Sequence, residues 1–220
     1  MGNVHNINLV TPEHVVPQVV LSILHAAELG LRIPIVYNTS SFDSLESIKL
    51  LDGLVDIYLP DFKVWRDETS RRLLKADKYA DVAKESIMAM HKQVGDLCFT
   101  SDGIAKSGVL LRHLVMPGKV DEGIEIVKWL GENVSKDLCI HLMEQYRPAA
   151  NVGKARRGKV GQDVVEPGGV PSGQEAKREV RYADINRPVK LDEVASVRQA
   201  AVDAGLWRFI EPAEHGGFNI

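Results

Sequence analysis

The sequence is short of cysteine, of excess charge and of long apolar runs, and each shortage excludes a class of protein. Only two cysteines occur in 220 residues, Cys98 and Cys139, and both lie within apolar sequence. They cannot supply the three or four closely spaced thiolates of an iron–sulfur cluster. We expect two buried, reduced thiols rather than a disulfide, which is typical of a reducing compartment.

Charge and hydropathy exclude further classes of partner. The net charge of -3 gives no reason to expect nucleic acid or an anionic membrane. A basic tract at 154–159 is rich in glycine, which favours a solvated loop over a nucleic-acid-binding patch. No apolar run approaches the roughly 20 residues that span a bilayer, and the N-terminus lacks the pattern of a secretion signal. We therefore predict a cytoplasmic protein with neither nucleic acid nor membrane as partner.

Strand-like and helix-like segments alternate over the first two-thirds of the chain. Pro12 is a predicted helix start, Ser44 a predicted N-cap and Gly30 a predicted helix end. Short apolar runs predict five strands of parallel type, at 5–10, 33–37, 55–59, 109–115 and 138–143. An alternation of strands and helices produces parallel strands with helical crossovers, but five strands are too few for a closed eight-stranded barrel. The predicted fold is an α/β protein with an open, partial (βα) barrel.

The character of the sequence changes after the last of these strands. Residues 1–150 are the predicted partial barrel. Residues 151–180 are rich in glycine and charge with almost no apolar periodicity, and they predict a flexible insertion or linker. Residues 181–220 predict a C-terminal helix, at 191–204, and a last strand or docking segment at 206–210.

The segment 55–63 ends a buried strand on a carboxylate and an ammonium, Asp61 and Lys63. Residues two apart on an extended chain point to the same side, so these two charges face the same way. Ligands of α/β proteins bind beyond the carboxyl ends of the strands, which makes this a candidate site. A surface ion pair just past the strand is the alternative, and the sequence leaves both open.

Arg112 lies in an otherwise apolar strand and needs an anionic partner, because an unpaired buried guanidinium is costly. That partner is either a protein carboxylate such as Asp61 or a ligand. Asn38, Thr39 and Thr11 add neutral hydrogen-bonding groups at neighbouring strand ends. The mixed set suits a zwitterion such as an amino-acid moiety, with Asp61 towards one end and Arg112 towards the other.

Two histidines, His113 and His141, also lie in apolar strands. A single histidine on an apolar strand is more often a hydrogen-bonded core residue than a catalytic group. We assign neither of them a catalytic role.

Six segments occur in a familiar order. They are HNINLVTP (5–12), IPIVYNT (33–39), LDGLVDIYLPDFK (51–63), RHLVMPG (112–118), QYRP (145–148) and INRP (185–188). Together they resemble the radical S-adenosylmethionine superfamily, specifically proteins similar to pyruvate formate-lyase activating enzyme. The resemblance implies a partial (βα)6 barrel that carries S-adenosylmethionine beside a 4Fe–4S cluster. Reductive cleavage of that cofactor would yield a 5′-deoxyadenosyl radical that abstracts hydrogen from a substrate, such as the glycine of a partner protein.

The resemblance also implies roles for the residues at the strand ends. Asp61 and Lys63 match a D-x-K unit whose carboxylate side helps to bind the methionyl end of the cofactor, directly or through a cation. Arg112 matches the arginine of R-x-x-x-x-P-G, which would approach the methionyl carboxylate. The expected cofactor-binding set is Asp61, Lys63, Arg112, Asn38, Thr39 and Thr11, and no catalytic residue or metal ligand is assigned.

Two features of the family are missing. The cluster motif C-x-x-x-C-x-x-C would precede the segment that matches His5, and the chain has no such motif. A Gly-Gly-Glu that contacts the methionine amino group in many members is replaced by residues 11–14. We therefore expect the chain to lack the first strand of the barrel as well as the cluster loop, which would expose an edge of the sheet.

Three hypotheses follow, and whether the chain itself is an enzyme stays open. It is the C-terminal portion of a radical S-adenosylmethionine enzyme whose substrate is a protein with a glycyl radical site. Alternatively, it is a non-catalytic remnant that binds S-adenosylmethionine or regulates another protein. A Schiff-base lyase that uses Lys63 is a third reading, which the adjacent carboxylate disfavours because it stabilises the ammonium form.

Overall fold

The computed structural model describes residues 4–155, 180–212 and 218–219. Its strands are β1 (Ile7–Val10), β2 (Ile35–Thr39), β3 (Ile57–Pro60), β4 (Cys98–Phe99), β5 (Ala105–Leu114), β6 (Cys139–Met143), β7 (Glu211–Pro212) and β8 (Phe218–Asn219). Its α-helices are α1 (Val16–Glu28), α2 (Leu45–Leu50), α3 (Asp67–Leu73), α4 (Tyr79–Val94), α5 (Val120–Asn133) and α6 (Leu191–Asp203), and a short 3-10 helix covers Ala183–Ile185.

The strands β1, β2, β3, β5 and β6 are adjacent in that order and parallel. β4 pairs antiparallel with the start of β5, and a turn at Asp102 and Gly103 joins the two strands. The segment 208–210 continues the sheet beyond β6, because Ile140 donates to Arg208 O at 2.9 Å and Ile210 donates to Ile140 O at 3.0 Å. The predicted α/β fold with a parallel sheet is confirmed, and its open arrangement of five to six strands is consistent with a partial barrel.

Two predicted helix boundaries have opposite outcomes. Ser44 caps α2 as predicted, since its hydroxyl accepts a hydrogen bond from the Ser47 amide at 3.1 Å. The predicted helix start at Pro12 is wrong. Residues 12–15 form a separate turn, closed by the Val15 amide on Pro12 O, and α1 begins at Val16 with a proline in its first turn.

The helix α3 was not predicted because its stabilising partner is remote in sequence. The buried Glu122 of α5 accepts hydrogen bonds from the amides of Trp65 and Arg66, both at 2.9 Å, and from the Thr69 hydroxyl at 2.6 Å. This carboxylate fixes the entry to α3, because Arg66 is its N-cap and a helix leaves the amide at that position without an internal partner. A contact across more than fifty residues leaves no local pattern.

The sheet is apolar on both faces. The helices pack on one face, over a core that includes Tyr37, Tyr58, Leu111 and Ile140. The opposite face carries a smaller cluster of buried residues, Val36, Ile57, Leu97, Cys139 and Ile210. The expectation for the cysteines is half right, because Cys139 is buried but Cys98 is exposed. The reason is that the short β4 lies at the margin of the sheet, where apolar sequence neighbours do not ensure burial.

Gly108 marks a close approach within the sheet. It has φ +119°, and a Cβ at this position would lie 2.4 Å from Asp96 O and from Leu97 Cα. Only glycine allows β5 to pass this close to the preceding segment, because any side chain would collide with backbone.

The sheet has an open edge at β1, which pairs only with β2 among the described strands. The flanking α1 buries only Val16 and Ile23, while Leu21, Leu24 and Leu29 are exposed. The expected exposed edge is therefore present. Of the predicted insertion 151–180, residues 156–179 lie outside the described residues. Ala155 and Val180 form an antiparallel bridge at its two ends, and the domain boundaries remain a prediction.

Candidate functional site

The carboxyl ends of β2, β3 and β5 bring Asn38, Asp61 and Arg112 together on the face of the sheet opposite the helices. Asp61 and Arg112 are paired in parallel register just past the end of β3. Arg112 donates from Nε to Asp61 Oδ1 at 2.7 Å and from Nη2 to Asn38 Oδ1 at 2.7 Å. Of the two partners that the sequence left open for Arg112, the structure therefore shows the protein carboxylate.

Lys63 completes this group, because its ammonium contacts the second carboxylate oxygen of Asp61. The predicted common orientation of Asp61 and Lys63 is therefore observed. We call Asn38, Asp61, Lys63 and Arg112 the rim cluster. Its side chains are partly open to solvent, with exposed fractions of 33% for Lys63, 23% for Arg112 and 15% for Asp61. Two cations around one carboxylate leave a net charge of about +1, which favours an anionic group of a ligand.

The two histidines of the apolar strands are both buried. His113 lies on the helical face, and its Nδ1 is 2.7 Å from Phe62 O. Burial lowers the pKa of His113, so the ring is neutral and carries its hydrogen on Nδ1, since a carbonyl can only accept. His141 lies beside Arg112 in the register of β5 and β6. The structure thus agrees with a core role for His113.

Thr39 does not join the rim cluster. Its side chain is 1% exposed on the helical face, where the hydroxyl donates to Asp43 Oδ2 at 2.5 Å. Tyr37, two residues earlier, donates to Asp43 Oδ1 at 2.7 Å. Burial raises the pKa of Asp43. We call Tyr37, Thr39 and Asp43 the core cluster, and its place follows from strand alternation, since Thr39 must point away from Asn38.

At the carboxyl end of β1, the backbone of Thr11 and the side chain of Glu13 contact the end of β2. Thr11 is exposed with φ 50°, and its amide donates to Asn38 O at 2.8 Å. Glu13, which was not predicted, accepts at Oε1 from the Ser40 hydroxyl at 2.8 Å and from the Ser40 amide at 3.2 Å. Its Oε2 is buried and has no hydrogen-bond partner among the described residues. The carboxyl end of β1 thus offers a free acceptor close to the end of β2.

Other segments that resemble the family serve to hold the fold together. Glu193 of α6 accepts from the Gly118 amide at 2.8 Å and from both terminal nitrogens of Arg187 at 2.7 Å. Chiefly because of Arg187, the pKa of Glu193 falls to about 2. Tyr146 donates to Ile185 O at 3.0 Å. The motifs RHLVMPG, QYRP and INRP therefore meet around α6 and attach it to the sheet.

The fit of the implied cofactors can be tested against these residues. Among residues 4–155 and 180–210, no three His, Cys, Asp or Glu side chains form a group that could hold a metal ion. The whole sequence has two cysteines, so it does not fit a 4Fe–4S cluster. The rim cluster does fit an amino-acid zwitterion, because it presents cations and a carboxylate together with an amide. In the described part of the chain no helix is long and apolar enough to cross a membrane.

Comparisons with known proteins indicate the fold but not the activity. No protein-family model matches the chain. The uncharacterized protein MJ0674 of Methanocaldococcus jannaschii is 35% identical over 130 residues, which are 58% of this chain. The chain spans about a third (34%) of the length of that relative. The structure is similar to a domain of a pyruvate-formate lyase-activating enzyme from Bacteroides vulgatus, with a TM-score of 0.55 and 11% identity over 94% of this chain and 96% of the other.

Proposed function

We propose that the chain is the cofactor-binding portion of a radical S-adenosylmethionine enzyme that resembles a glycyl-radical activating enzyme. The observation that carries the proposal is the rim cluster, at the carboxyl ends of strands in an α/β sheet, where such folds bind ligands. The shared fold with a domain of a pyruvate-formate lyase-activating enzyme supports it. A protein with a glycyl radical site is the proposed substrate.

The rim cluster can take the methionyl end of S-adenosylmethionine without a change of partners. A carboxylate has about four acceptor positions, and Asp61 uses two of them, for Lys63 and Arg112. A ligand ammonium would occupy a remaining position on Asp61. The ligand carboxylate would bind Lys63 or Arg112, which bring the excess positive charge.

The chain alone does not supply the reductive chemistry of such an enzyme. Its two cysteines do not fit a 4Fe–4S cluster, so we derive no step through one. The proposed share of this chain is to bind and orient the cofactor. Cluster ligands would have to come from residues other than these 220, and a chain without them would be a binding or regulatory protein.

The Schiff-base alternative is not supported by the site. Lys63 is engaged in an ion pair with the Asp61 carboxylate, whereas a Schiff base requires an amine that is free to attack a carbonyl. Absence of a mass adduct after borohydride treatment with a carbonyl substrate would remove this alternative.

Calorimetric titration of the iron-free chain tests the proposal. We expect saturable binding of S-adenosylmethionine and weaker binding of 5′-methylthioadenosine, which lacks the amino-acid moiety. The variant Arg112→Met should lose the difference between the two ligands. Arg208→Met is the matched control, since this half-buried arginine donates to Asp137 O and Leu97 O at the amino ends of the strands.

Two outcomes would count against the proposal. One is the absence of heat with S-adenosylmethionine, and the other is equal affinity of the two arginine variants. The intact mass of the native protein is a separate measurement. It shows whether a cysteine-bearing segment accompanies this sequence in the cell.

A further inference from the structure

The amides of Asp61, Phe62 and Lys63 and the carbonyls of Asp61 and Phe62 all have hydrogen-bond partners, and one side chain supplies two of these partners. The amides of Asp61 and Phe62 continue the sheet, donating to Thr39 O at 3.0 Å and to Arg112 O at 2.9 Å. Beyond Phe62 the chain leaves the sheet, and its backbone forms hydrogen bonds with side chains instead of with neighbouring strands.

That side chain is Tyr79, the first residue of α4. Its hydroxyl accepts from the Lys63 amide at 3.0 Å and lies 2.9 Å from both Asp61 O and Ser40 O. A phenol has one hydrogen to donate, so it donates to one of these two carbonyls at a time. The hydroxyl therefore ties the ends of β2 and β3 together at the point where Asp61 and Lys63 turn towards the rim.

The Tyr79 side chain is buried and held by aromatic neighbours. The residue is 2% exposed, and its ring stacks on Phe42 and meets Phe62 edge-on. Burial raises the pKa of Tyr79 far above its ordinary value, so the hydroxyl keeps its hydrogen. A neutral, immobile hydroxyl is suited to hold backbone rather than to exchange protons with a ligand.

We propose that Tyr79 is a positioning residue for the rim cluster, acting through the backbone of Asp61 and Lys63 and not by contact with the ligand. The consequence for binding rests on the proposed function, since it concerns the amino-acid end of S-adenosylmethionine. The consequence for the backbone does not depend on any ligand. The two parts can therefore fail separately.

The test compares Tyr79→Phe with Tyr58→Phe. Both tyrosines are buried, and Tyr58 also uses its hydroxyl in one strong bond, to Gln93 Oε1 at 2.6 Å, but it lies within β3, away from the rim. Both variants lose one buried hydroxyl and keep the ring. Any effect of general destabilisation is thus present in both.

The first readout is amide hydrogen exchange of the ligand-free chain. We expect Tyr79→Phe to speed exchange at Lys63 about tenfold relative to Tyr58→Phe, because the Lys63 amide loses the hydroxyl that accepts its hydrogen bond. The Phe62 amide, which donates to Arg112 O, should keep its protection in both variants. Equal exchange at Lys63 in the two variants would overturn the proposal.

The second readout is a ratio of affinities. Tyr79→Phe should weaken S-adenosylmethionine about tenfold while leaving 5′-methylthioadenosine unchanged, because only the former has the group that Asp61 and Lys63 would hold. Tyr58→Phe should change neither. A parallel loss for both ligands would show a structural role only. If the wild-type chain binds neither ligand, the proposed function fails while the exchange experiment still decides the role of Tyr79.

Discussion

Two carboxylates near the carboxyl ends of neighbouring strands, Asp43 and Asp61, have opposite surroundings. Asp43 lies on the helical face, 4% exposed, and accepts hydrogen bonds from the hydroxyls of Tyr37 and Thr39. Asp61 lies on the opposite face with two cations, Lys63 and Arg112. One carboxylate is enclosed by neutral donors, and the other is matched by charge and partly open to water.

The difference separates a structural carboxylate from the one that we propose binds a ligand. Burial raises the pKa of Asp43, and the same burial keeps its carboxylate away from solvent. Asp61 belongs to a group that carries excess charge and unused acceptor positions, which a ligand can use. Both carboxylates lie near the ends of strands, so the face of the sheet on which each lies accounts for their different surroundings.

The largest expected effect is at Arg112. Replacing it with Met leaves Asp61 with one cation and Asn38 without its donor, and should lower the free energy of unfolding by about 2 kcal/mol, since partial exposure reduces the cost of a fully buried broken pair. Chemical denaturation measures this change. Arg112→Lys should lose less stability, because lysine keeps the charge but cannot bond to Asp61 and Asn38 in the same geometry. Equal stability of the wild type and Arg112→Met would mean that Asp61 does not depend on this pair.

A smaller effect is expected at Asp43, and it depends on pH. Asn at this position offers one oxygen to two hydroxyl donors, which should cost about 1 kcal/mol. The raised pKa means that the folded protein holds the Asp43 proton more tightly than the unfolded chain does. The stability from that proton is complete below the ordinary value of 3.8 and is lost as the pH rises through the raised pKa. The deficit of Asp43→Asn should therefore shrink as the pH rises.

Denaturation of both proteins in a pH series that rises from about pH 5 measures this slope. Glu193 has the opposite sign, since its pKa is lowered from 4.5 to about 2 and its contribution is complete above pH 4.5 and is lost as the pH falls through about 2. Above pH 5 the contribution of Glu193 to stability therefore stays constant. A deficit of Asp43→Asn that grows with pH would contradict the assignment of Asp43 to the core cluster.

The rules of strand geometry account for the orientation of Asp61 and Lys63 and for the separation of Asn38 from Thr39. The parity of Asp61 and Lys63 predicts their common orientation, which is observed. The same rule places Asn38 and Thr39 on opposite faces of the sheet, although the family resemblance implies cofactor contacts for both. The fold can be predicted from the apolar runs and their order, because each buried strand is a short segment with a local apolar pattern.

Long-range partners could not be predicted in the same way. The Glu122 carboxylate that holds the start of α3 and the Tyr79 hydroxyl that holds Lys63 each come from a different element. Only the folded chain brings them together, and neither residue type has a spacing that reveals its partner. The exposed Cys98 is the converse case, since apolar neighbours in sequence did not place it in the core.

The smallest effects come from the adjacent residues Asn38 and Thr39, and they separate the two faces most sharply. Thr39→Val removes a donor from Asp43 and should cost about 1 kcal/mol or less of stability with no change in ligand affinity. Asn38→Ala should cost less stability, because the partly exposed Arg112 can be hydrated, but it should weaken S-adenosylmethionine if the proposed function is correct. Denaturation and calorimetry on the same two variants give four values. If both variants lose stability and affinity in the same proportion, the two faces act as one unit, and the distinction between Asp43 and Asp61 has no functional meaning.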